Sequence, residues 1–162
     1  MGIHIVFATV PTTIANDLRL PKGASTFGFE TARDLGAQLV ANLVEDARTS
    51  RRWYLVTAMG RSAGHLALGV GLSGGAHLTV IPEQFPEGQP IRQKQITDLV
   101  AAAVKLRAAT GDDFGVAVFA EGLLDHIPSE DLAGLQFEKD EHGNPRLSEI
   151  SFGKILKDAM PD

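Results

Sequence analysis

Two glycine motifs and several charged residues at predicted strand ends are the parts of this sequence that could carry chemistry. The segment Gly60–Gly64 reads Gly-Arg-Ser-Ala-Gly, which has the G-x-S-x-G spacing of a serine hydrolase nucleophile. It lies between a predicted strand and a predicted helix, where that motif occurs. A serine hydrolase also needs an acid and then a histidine, and candidates in that order are Asp113 or Asp125 followed by His126 or His142. No HGGG-type oxyanion loop is present, and Arg61 is unusual for an apolar ester pocket, so the hydrolase remains an alternative.

The second motif, Gly69–Gly74, has the G-x-G-x-x-G spacing of a dinucleotide-binding turn. That turn joins the end of a strand to the start of a helix, whereas these glycines fall inside a predicted helix. We interpret them as positions of close helix packing.

The five histidines do not predict a metal site. No pair has the i, i+4 spacing of helical metal ligands, and no H-E-x-x-H segment occurs. For His65, on the glycine-rich helix, we favour a hydrogen-bonded packing role.

Composition limits the possible functions further. The chain has 162 residues, of which 44% are hydrophobic, and a net charge of −5. This composition is typical of a globular protein. No apolar run is long enough to span a membrane, and the net negative charge does not favour binding to nucleic acid. With no cysteine there is neither a disulfide nor a thiolate site, and no secretory signal is visible at Met1, so we expect a cytoplasmic protein.

The elements that must position these residues follow from hydrophobic periodicity. Runs of apolar residues predict strands, and apolar residues every three or four positions predict helices. Strands are predicted at Ile3–Thr9, Trp53–Ala58, Leu78–Ile81 and Gly115–Ala120. Helices are predicted from Thr26 to about Arg48 (capped by Ser25 or Thr26), at Ala63–Gly74, from Ile96 to about Thr110, near Ser129–Leu135 and at Ser151–Met160. The alternation predicts an α/β fold, a three-layer α/β/α sandwich with a mainly parallel sheet.

Ligands of such sheets bind beyond the carboxyl ends of the strands. Three segments are therefore candidates for a site, and all are polar or rich in glycine: Thr12–Asp17, Met59–Gly64 and Glu121–Leu124.

Five ordered motifs resemble the phosphofructokinase family, and most closely its pyrophosphate-dependent branch. They are Thr13-Ile14-Ala15-Asn16-Asp17, Thr26–Ala32, Trp53–Leu68 with Met-Gly-Arg at its centre, Ile81-Pro82-Glu83 after Gly74-Gly75-Ala76, and Phe119–Gly122. The resemblance covers nearly the whole chain. It implies a phosphofructokinase-like fold, partial in extent. The implied reaction is that of a glycolytic kinase, phosphoryl transfer from pyrophosphate or ATP to the 1-hydroxyl of fructose 6-phosphate with Mg²⁺.

On the reaction side, the resemblance implies that Thr13 and Asp17 lie at the reacting hydroxyl, with Asp17 as a candidate metal ligand. Two residues depart from the family pattern. Ala15 stands where the family has its catalytic aspartate, and Thr12 stands where the pyrophosphate branch has a lysine. A methyl group cannot accept the proton of the sugar hydroxyl, so we expect little or no activity.

On the sugar side, the resemblance implies that Met59, Gly60 and Arg61 hold the substrate and that Glu121 accepts hydrogen bonds from its hydroxyls. Arg52 aligns with an arginine that the family lends to the 6-phosphate site of a neighbouring subunit. The resemblance and the nearly apolar helix Ala63–Gly74, which something must bury, together predict a homo-oligomer.

We expect two parts: residues 1–48, a strand, a catalytic-type loop and a helix crossing from the donor-side domain, and residues 49–162, the sugar-phosphate-binding domain. The donor loop and the later sugar-phosphate contacts of the family have no counterpart here, so the chain is interpreted as an incomplete segment of such an enzyme. The alternatives are a non-catalytic sugar-phosphate-binding or oligomerising regulatory subunit, and a serine hydrolase using Ser62.

Overall fold

A computed structural model describes residues 5–128 and 130–131 of the chain. Its elements are β1 (Thr12–Thr13), β2 (Phe27–Gly28), α1 (Phe29–Ser50), β3 (Trp53–Ala58), α2 (His65–Gly74), β4 (Leu78–Val80), a 3₁₀ turn (Pro82–Gln84), α3 (Gln93–Ala109), β5 (Gly115–Ala120) and α4 (Leu123–His126). No helix within these residues is long and apolar enough to cross a membrane.

The central sheet consists of three parallel strands in the order β3-β5-β4. The middle strand, β5, is buried along its whole length and consists of small and β-branched residues with one phenylalanine. A strand that is covered on both faces has no polar side, which explains its continuous apolar run. Because Ala58 of β3 is in register with Ala120 of β5, these two strands end at the same edge of the sheet.

The two faces of β5 enter separate cores, which gives the three predicted layers. On one face, Val116, Val118 and Ala120 pack with buried residues of α1 and α2. On the other face, Ala117 and Phe119 pack with residues of α3 and α4. The α/β/α sandwich with a parallel sheet is therefore confirmed.

The glycines of α2 are sites of close packing within the chain. A Cβ atom on Gly71 would overlap the side chain of Thr79, and one on Gly74 would lie 2.6 Å from Cβ of Val40 in α1. The packing interpretation of this motif agrees with these contacts. α1 and the sheet cover most of α2 and leave Leu72 exposed, so the burial of this helix does not by itself call for a partner subunit, and the homo-oligomer stays a prediction.

The predicted strand over Ile3–Thr9 is not observed in its described part, residues 5–9, which have no regular structure. Ile5, Val6 and Phe7 are exposed there. An apolar run forms a strand only beside a hydrogen-bonding neighbour, and no strand of the described chain pairs with it.

The start of α1 also differs from prediction, because Gly28 and not Ser25 or Thr26 precedes the first helical residue. The backbone N–H of Phe27 donates to the carbonyl of Pro11, the residue before β1, and β2 pairs with β1 in parallel. The four-residue helix α4 was not predicted. The helix predicted near Ser129–Leu135 lies outside the described residues apart from Glu130 and Asp131, which form a turn, and the one at Ser151–Met160 lies outside them entirely.

Candidate functional site

The segments that follow β3 and β5 are hydrogen-bonded to each other at the carboxyl edge of the sheet. The backbone N–H of Glu121 donates to the Ala58 carbonyl at 2.9 Å, and that of Gly122 donates to the Gly60 carbonyl at 2.9 Å. The parallel register of the two strands imposes this meeting. Two of the three segments selected from the sequence therefore form one surface.

Both glycines of this junction are required by the local geometry. Gly60 has φ +144°, and a Cβ on it would lie 2.5 Å from the Ala63 carbonyl oxygen. Gly122 has ordinary helical φ, yet a Cβ there would lie 2.8 Å from the Gly60 oxygen and closer still to that of Arg61. The missing side chain of Gly122 lets the Gly60–Arg61 backbone lie against the turn after β5, and that of Gly60 lets its own turn close on Ala63.

The segment Thr13–Asp17, hereafter the 13–17 loop, joins this surface through the start of α2. The Ser62 hydroxyl donates to Oδ2 of Asp17 at 3.1 Å, and Nδ1 of His65 lies 2.8 Å from the Asn16 carbonyl oxygen. All three segments that the sequence selected are thus brought together at one edge.

Internal hydrogen bonds shape the 13–17 loop. The Ala15 N–H donates to Oγ1 of Thr13 at 3.1 Å, and Asn16 has the left-handed φ of 54°. Asparagine adopts this conformation more readily than most residues. Oδ1 of Asn16 accepts the backbone N–H of Thr26 at 3.0 Å, and the Thr26 hydroxyl donates to the Thr13 carbonyl. Thr26, which is buried, therefore fixes the loop and does not cap α1.

Glu83 is a second residue whose role the sequence analysis missed. Its Oε1 accepts the Gly64 N–H at 2.7 Å, immediately before the first residue of α2. An acidic side chain at this position stabilises the helix N-terminus. The signal in the sequence was the Ile81-Pro82-Glu83 motif itself, which turns the chain back toward α2.

The predicted sugar-binding side chains differ in exposure. Arg61 is exposed and Glu121 is half-buried, while Met59 is 64% exposed and lines an apolar groove between α1 and β3. Arg61 thus contributes the site's positive charge at the turn before α2, and Glu121 contributes a carboxylate on the β5 side.

Arg52 lies apart from these residues. It precedes the first residue of β3 and is exposed, whereas Met59 follows the last residue of the same strand. A strand rises about 3.3 Å per residue, so roughly 20 Å separate the two. The structure does not bring Arg52 to the site of its own chain.

The contacts of Ser62 do not form a hydrolase triad. Ser62 and His126 line the same cavity of about 430 Å³. However, the Ser62 hydroxyl donates to Asp17, and no hydrogen bond joins it to an imidazole in the described residues. The serine therefore lacks the histidine base of a triad, and the carboxylate that accepts its hydrogen bond is a weaker base than an imidazole.

Asp17 is the one candidate metal ligand of the sequence analysis. Across residues 5–128 and 130–131 no cluster of three or more acidic or histidine side chains could enclose a metal ion. A single carboxylate nevertheless suits Mg²⁺, which is commonly bound by one or two carboxylates together with phosphate oxygens and water. The residues therefore fit an ion that arrives with a phosphate ligand.

Comparison with known protein families gives a match over nearly the whole sequence. The phosphofructokinase family model matches residues 1–157. The chain is 49% identical over 154 residues to the pyrophosphate–fructose 6-phosphate 1-phosphotransferase of Thermotoga maritima, covering 93% of this chain and 36% of that protein. It is 45% identical over 167 residues to the protein of the same name from Naegleria fowleri, with coverages of 98% and 38%. The chain thus spans well under half the length of these relatives.

Solved structures show the same fold. Phosphofructokinase from Saccharomyces cerevisiae aligns with a TM-score of 0.57 and 26% identity, over 75% of this chain and 16% of that one. The pyrophosphate-dependent phosphofructokinase from Marinobacter aquaeolei aligns with a TM-score of 0.54 and 24% identity, over 70% and 28% of the two chains.

Proposed function

Because the chain belongs to the phosphofructokinase family, we propose that it supplies the fructose 6-phosphate side of a pyrophosphate-dependent phosphotransferase. The observation that carries this proposal is the meeting of the 13–17 loop, Met59–Gly64 and Glu121–Gly122 at one edge of the sheet. The names of the most similar relatives support pyrophosphate over ATP as the donor.

The sugar phosphate would bind between Arg61 and Glu121. A guanidinium suits an anionic oxygen, and a carboxylate accepts hydrogen bonds from sugar hydroxyls. Gly60 would let the backbone approach the sugar without a side chain in between. Met59 would add an apolar contact at the border of the site.

In the proposed reaction, the 1-hydroxyl oxygen of the sugar forms a bond to the nearer phosphorus of pyrophosphate. The bond from that phosphorus to the bridging oxygen breaks, inorganic phosphate leaves, and the hydroxyl proton passes to the leaving phosphate or to water, because Ala15 cannot accept it. Thr13 and Asp17 would lie at this hydroxyl. Mg²⁺, when bound with the phosphates near Asp17, would neutralise their charge.

Ala15 leaves the proposed site without a catalytic base. A carboxylate is the group that could take the hydroxyl proton, and a positioned acid or base contributes about 10²–10⁴-fold to a rate. Asp17, the one acidic residue of the 13–17 loop, already accepts a hydrogen bond from Ser62. We therefore propose that this chain binds sugar phosphate and transfers phosphate poorly or not at all.

The alternatives are not favoured by the comparisons. The relatives named above are phosphotransferases, which favours neither a regulatory subunit nor a serine hydrolase.

The division into residues 1–48 and 49–162, the homo-oligomer and the cytoplasmic location remain proposals. For the first of these, α1 shares a core with α2 and β5, so the two parts are in close contact.

Calorimetric titration of the chain with fructose 6-phosphate tests the proposal. We expect Arg61→Ala and Glu121→Gln to weaken binding by about 1.5–3 kcal/mol each, the range for a hydrogen bond to a charged group. Arg48→Ala is the matched control, because Arg48 is an exposed arginine paired with Glu45 on α1. Absence of binding, or equal losses in Arg48→Ala and Arg61→Ala, would contradict the proposal.

A further inference from the structure

We propose that His65 is a positioning residue, which holds the 13–17 loop in place by donating a hydrogen bond from its imidazole to the Asn16 carbonyl oxygen. This inference rests on the proposed function, because it assumes that the 13–17 loop must keep one conformation in order to bind the phosphates. Nothing in the spacing of the histidines pointed to it, since His65 has no histidine or acidic partner at helical spacing.

The contact between His65 and Asn16 determines which ring nitrogen of His65 carries a proton. Nδ1 of His65 lies 2.8 Å from the Asn16 oxygen, and a carbonyl oxygen can only accept. Nδ1 must therefore carry a hydrogen. The imidazole acts as a donor to the loop, not as a base or a metal ligand through that nitrogen.

Asn16 is the residue of the loop at which such a bond has the greatest effect. Its backbone is left-handed, a conformation that asparagine adopts more readily than most residues and that neighbouring contacts help to hold. Its side chain accepts the Thr26 N–H, and its carbonyl faces His65. The carbonyl belongs to the peptide plane that leads into Asp17, so a bond to this oxygen also orients the next residue.

His65 is attached to a rigid support. It is the first residue of α2, and the two residues that follow it, Leu66 and Ala67, are buried in the core. The turn that precedes α2 carries Ser62, which donates to Asp17. His65 therefore fixes the position of the 13–17 loop, which is proposed to face the phosphates, relative to the turn that carries Arg61.

Limited proteolysis gives a test that needs no ligand. Arg19 and Lys22 are exposed, lie just beyond the loop and lack regular structure, so trypsin cleavage there reports opening of this segment. His65→Ala should raise the cleavage rate about 2- to 10-fold, the effect expected from one net hydrogen bond. Asn places its side-chain N–H near the position of Nδ1 and should restore the slow rate, whereas Gln places it farther out and should not.

Two outcomes of this experiment would overturn the inference. One is an unchanged cleavage rate in His65→Ala. The other is an equal increase in cleavage after Lys105 in α3, which would show general loosening instead of local positioning. A fast rate in His65→Ala and His65→Gln with a slow rate in His65→Asn supports the inference.

Calorimetry with Mg²⁺–pyrophosphate and with fructose 6-phosphate separates this inference from the proposed function. We expect His65→Ala to weaken Mg²⁺–pyrophosphate binding about 2- to 10-fold and His65→Asn to restore it. If the wild-type chain binds neither ligand but shows the expected proteolysis pattern, the proposed function fails and the positioning of the loop by His65 is supported. If the wild-type chain binds both and His65→Ala matches it in affinity and cleavage, the positioning role fails alone.

Discussion

Gly122 and Arg61 are in backbone contact across the carboxyl edge of the sheet, at a distance that leaves no room for a side chain on residue 122. The N–H of Gly122 also donates to the Gly60 carbonyl at 2.9 Å. The turn after β5 thereby fixes the turn after β3, so the placement of the Arg61 guanidinium depends on a glycine 61 residues later in the sequence.

The first prediction concerns this contact. Gly122→Ala should destabilise the fold by about 1–3 kcal/mol, the usual cost of forcing atoms into a packed site, because the added Cβ meets backbone that cannot rotate away. It should also weaken fructose 6-phosphate binding by displacing Arg61. Urea unfolding and calorimetry measure the two effects. Gly111→Asn is the control, since Gly111 lies in open space with a positive φ that asparagine tolerates. Wild-type stability in Gly122→Ala would disprove the steric argument.

The second prediction concerns Ala15. The chain should form no fructose 1,6-bisphosphate at ordinary enzyme rates of about 1–10³ s⁻¹, because the loop has no carboxylate at this position to accept the hydroxyl proton. A coupled assay with pyrophosphate and Mg²⁺ measures the rate, and Asp17→Asn serves as the inactive reference. Turnover within that range by the wild-type chain would show that another group takes the proton.

The third prediction is that Ser62 is not a nucleophile. Its hydroxyl donates to Asp17 and is bonded to no imidazole in the described residues, so a fluorophosphonate probe should leave it unlabelled. Ser62→Ala should change the unfolding free energy by no more than about 1 kcal/mol, because the lost hydrogen bond is exposed to water. Mass spectrometry locates any label, and modification at Ser62 would restore the hydrolase hypothesis.

The fourth prediction concerns pH and His77. Partial burial and then the nearby Arg107 charge lower the pKa of His77 from its ordinary value of 6.5, while Asp112 acts in the opposite direction. Nδ1 of His77 accepts the Val116 N–H at 3.0 Å, so the ring carries its proton on Nε2 when neutral. A lowered pKa means that the unfolded chain binds protons more readily. This group's contribution to stability is therefore complete above pH 6.5 and is lost as the pH falls from there through the folded pKa.

Urea unfolding at about pH 7.5 and about pH 5.5 checks this, with the fluorescence of Trp53, whose ring lies edge-on to His77, as the signal. His77→Asn keeps an acceptor for the Val116 N–H without the titration and should lose less stability between the two pH values. His126→Asn, at an exposed position, is the control. An identical loss in wild type and His77→Asn would rule out His77 as the cause.

The sequence was sufficient for the elements with strong periodicity and insufficient where a distant contact decides the structure. β3 and β5 match their predicted bounds. For β5 the reason is that a buried parallel strand consists of one continuous apolar run. Thr26 was misassigned as a helix cap, because its real partners, Thr13 and Asn16, lie ten or more residues earlier in the chain.

The candidate site shows the same division. The resemblance and the strand-end rule together selected the three segments that meet, but the bonds that join them were not visible. Ser62, His65 and Glu83 act through side-chain bonds to groups 19 to 49 residues away, and such pairings depend on the folded topology and not on local spacing.

The last prediction concerns Arg52 and self-association. Arg52 is exposed at the amino end of β3, and the six residues of that strand separate it from Met59, so it cannot serve the site of its own chain. If a second copy receives it, Arg52→Ala should weaken fructose 6-phosphate binding by about 1.5–3 kcal/mol, and only at concentrations at which sedimentation shows a dimer or larger assembly. Arg51→Ala is the matched control, because its neighbouring guanidinium is bonded to Asp113 at 2.9 Å. A monomer at micromolar concentration whose affinity is the same in wild type and Arg52→Ala would remove both the oligomer and the shared arginine.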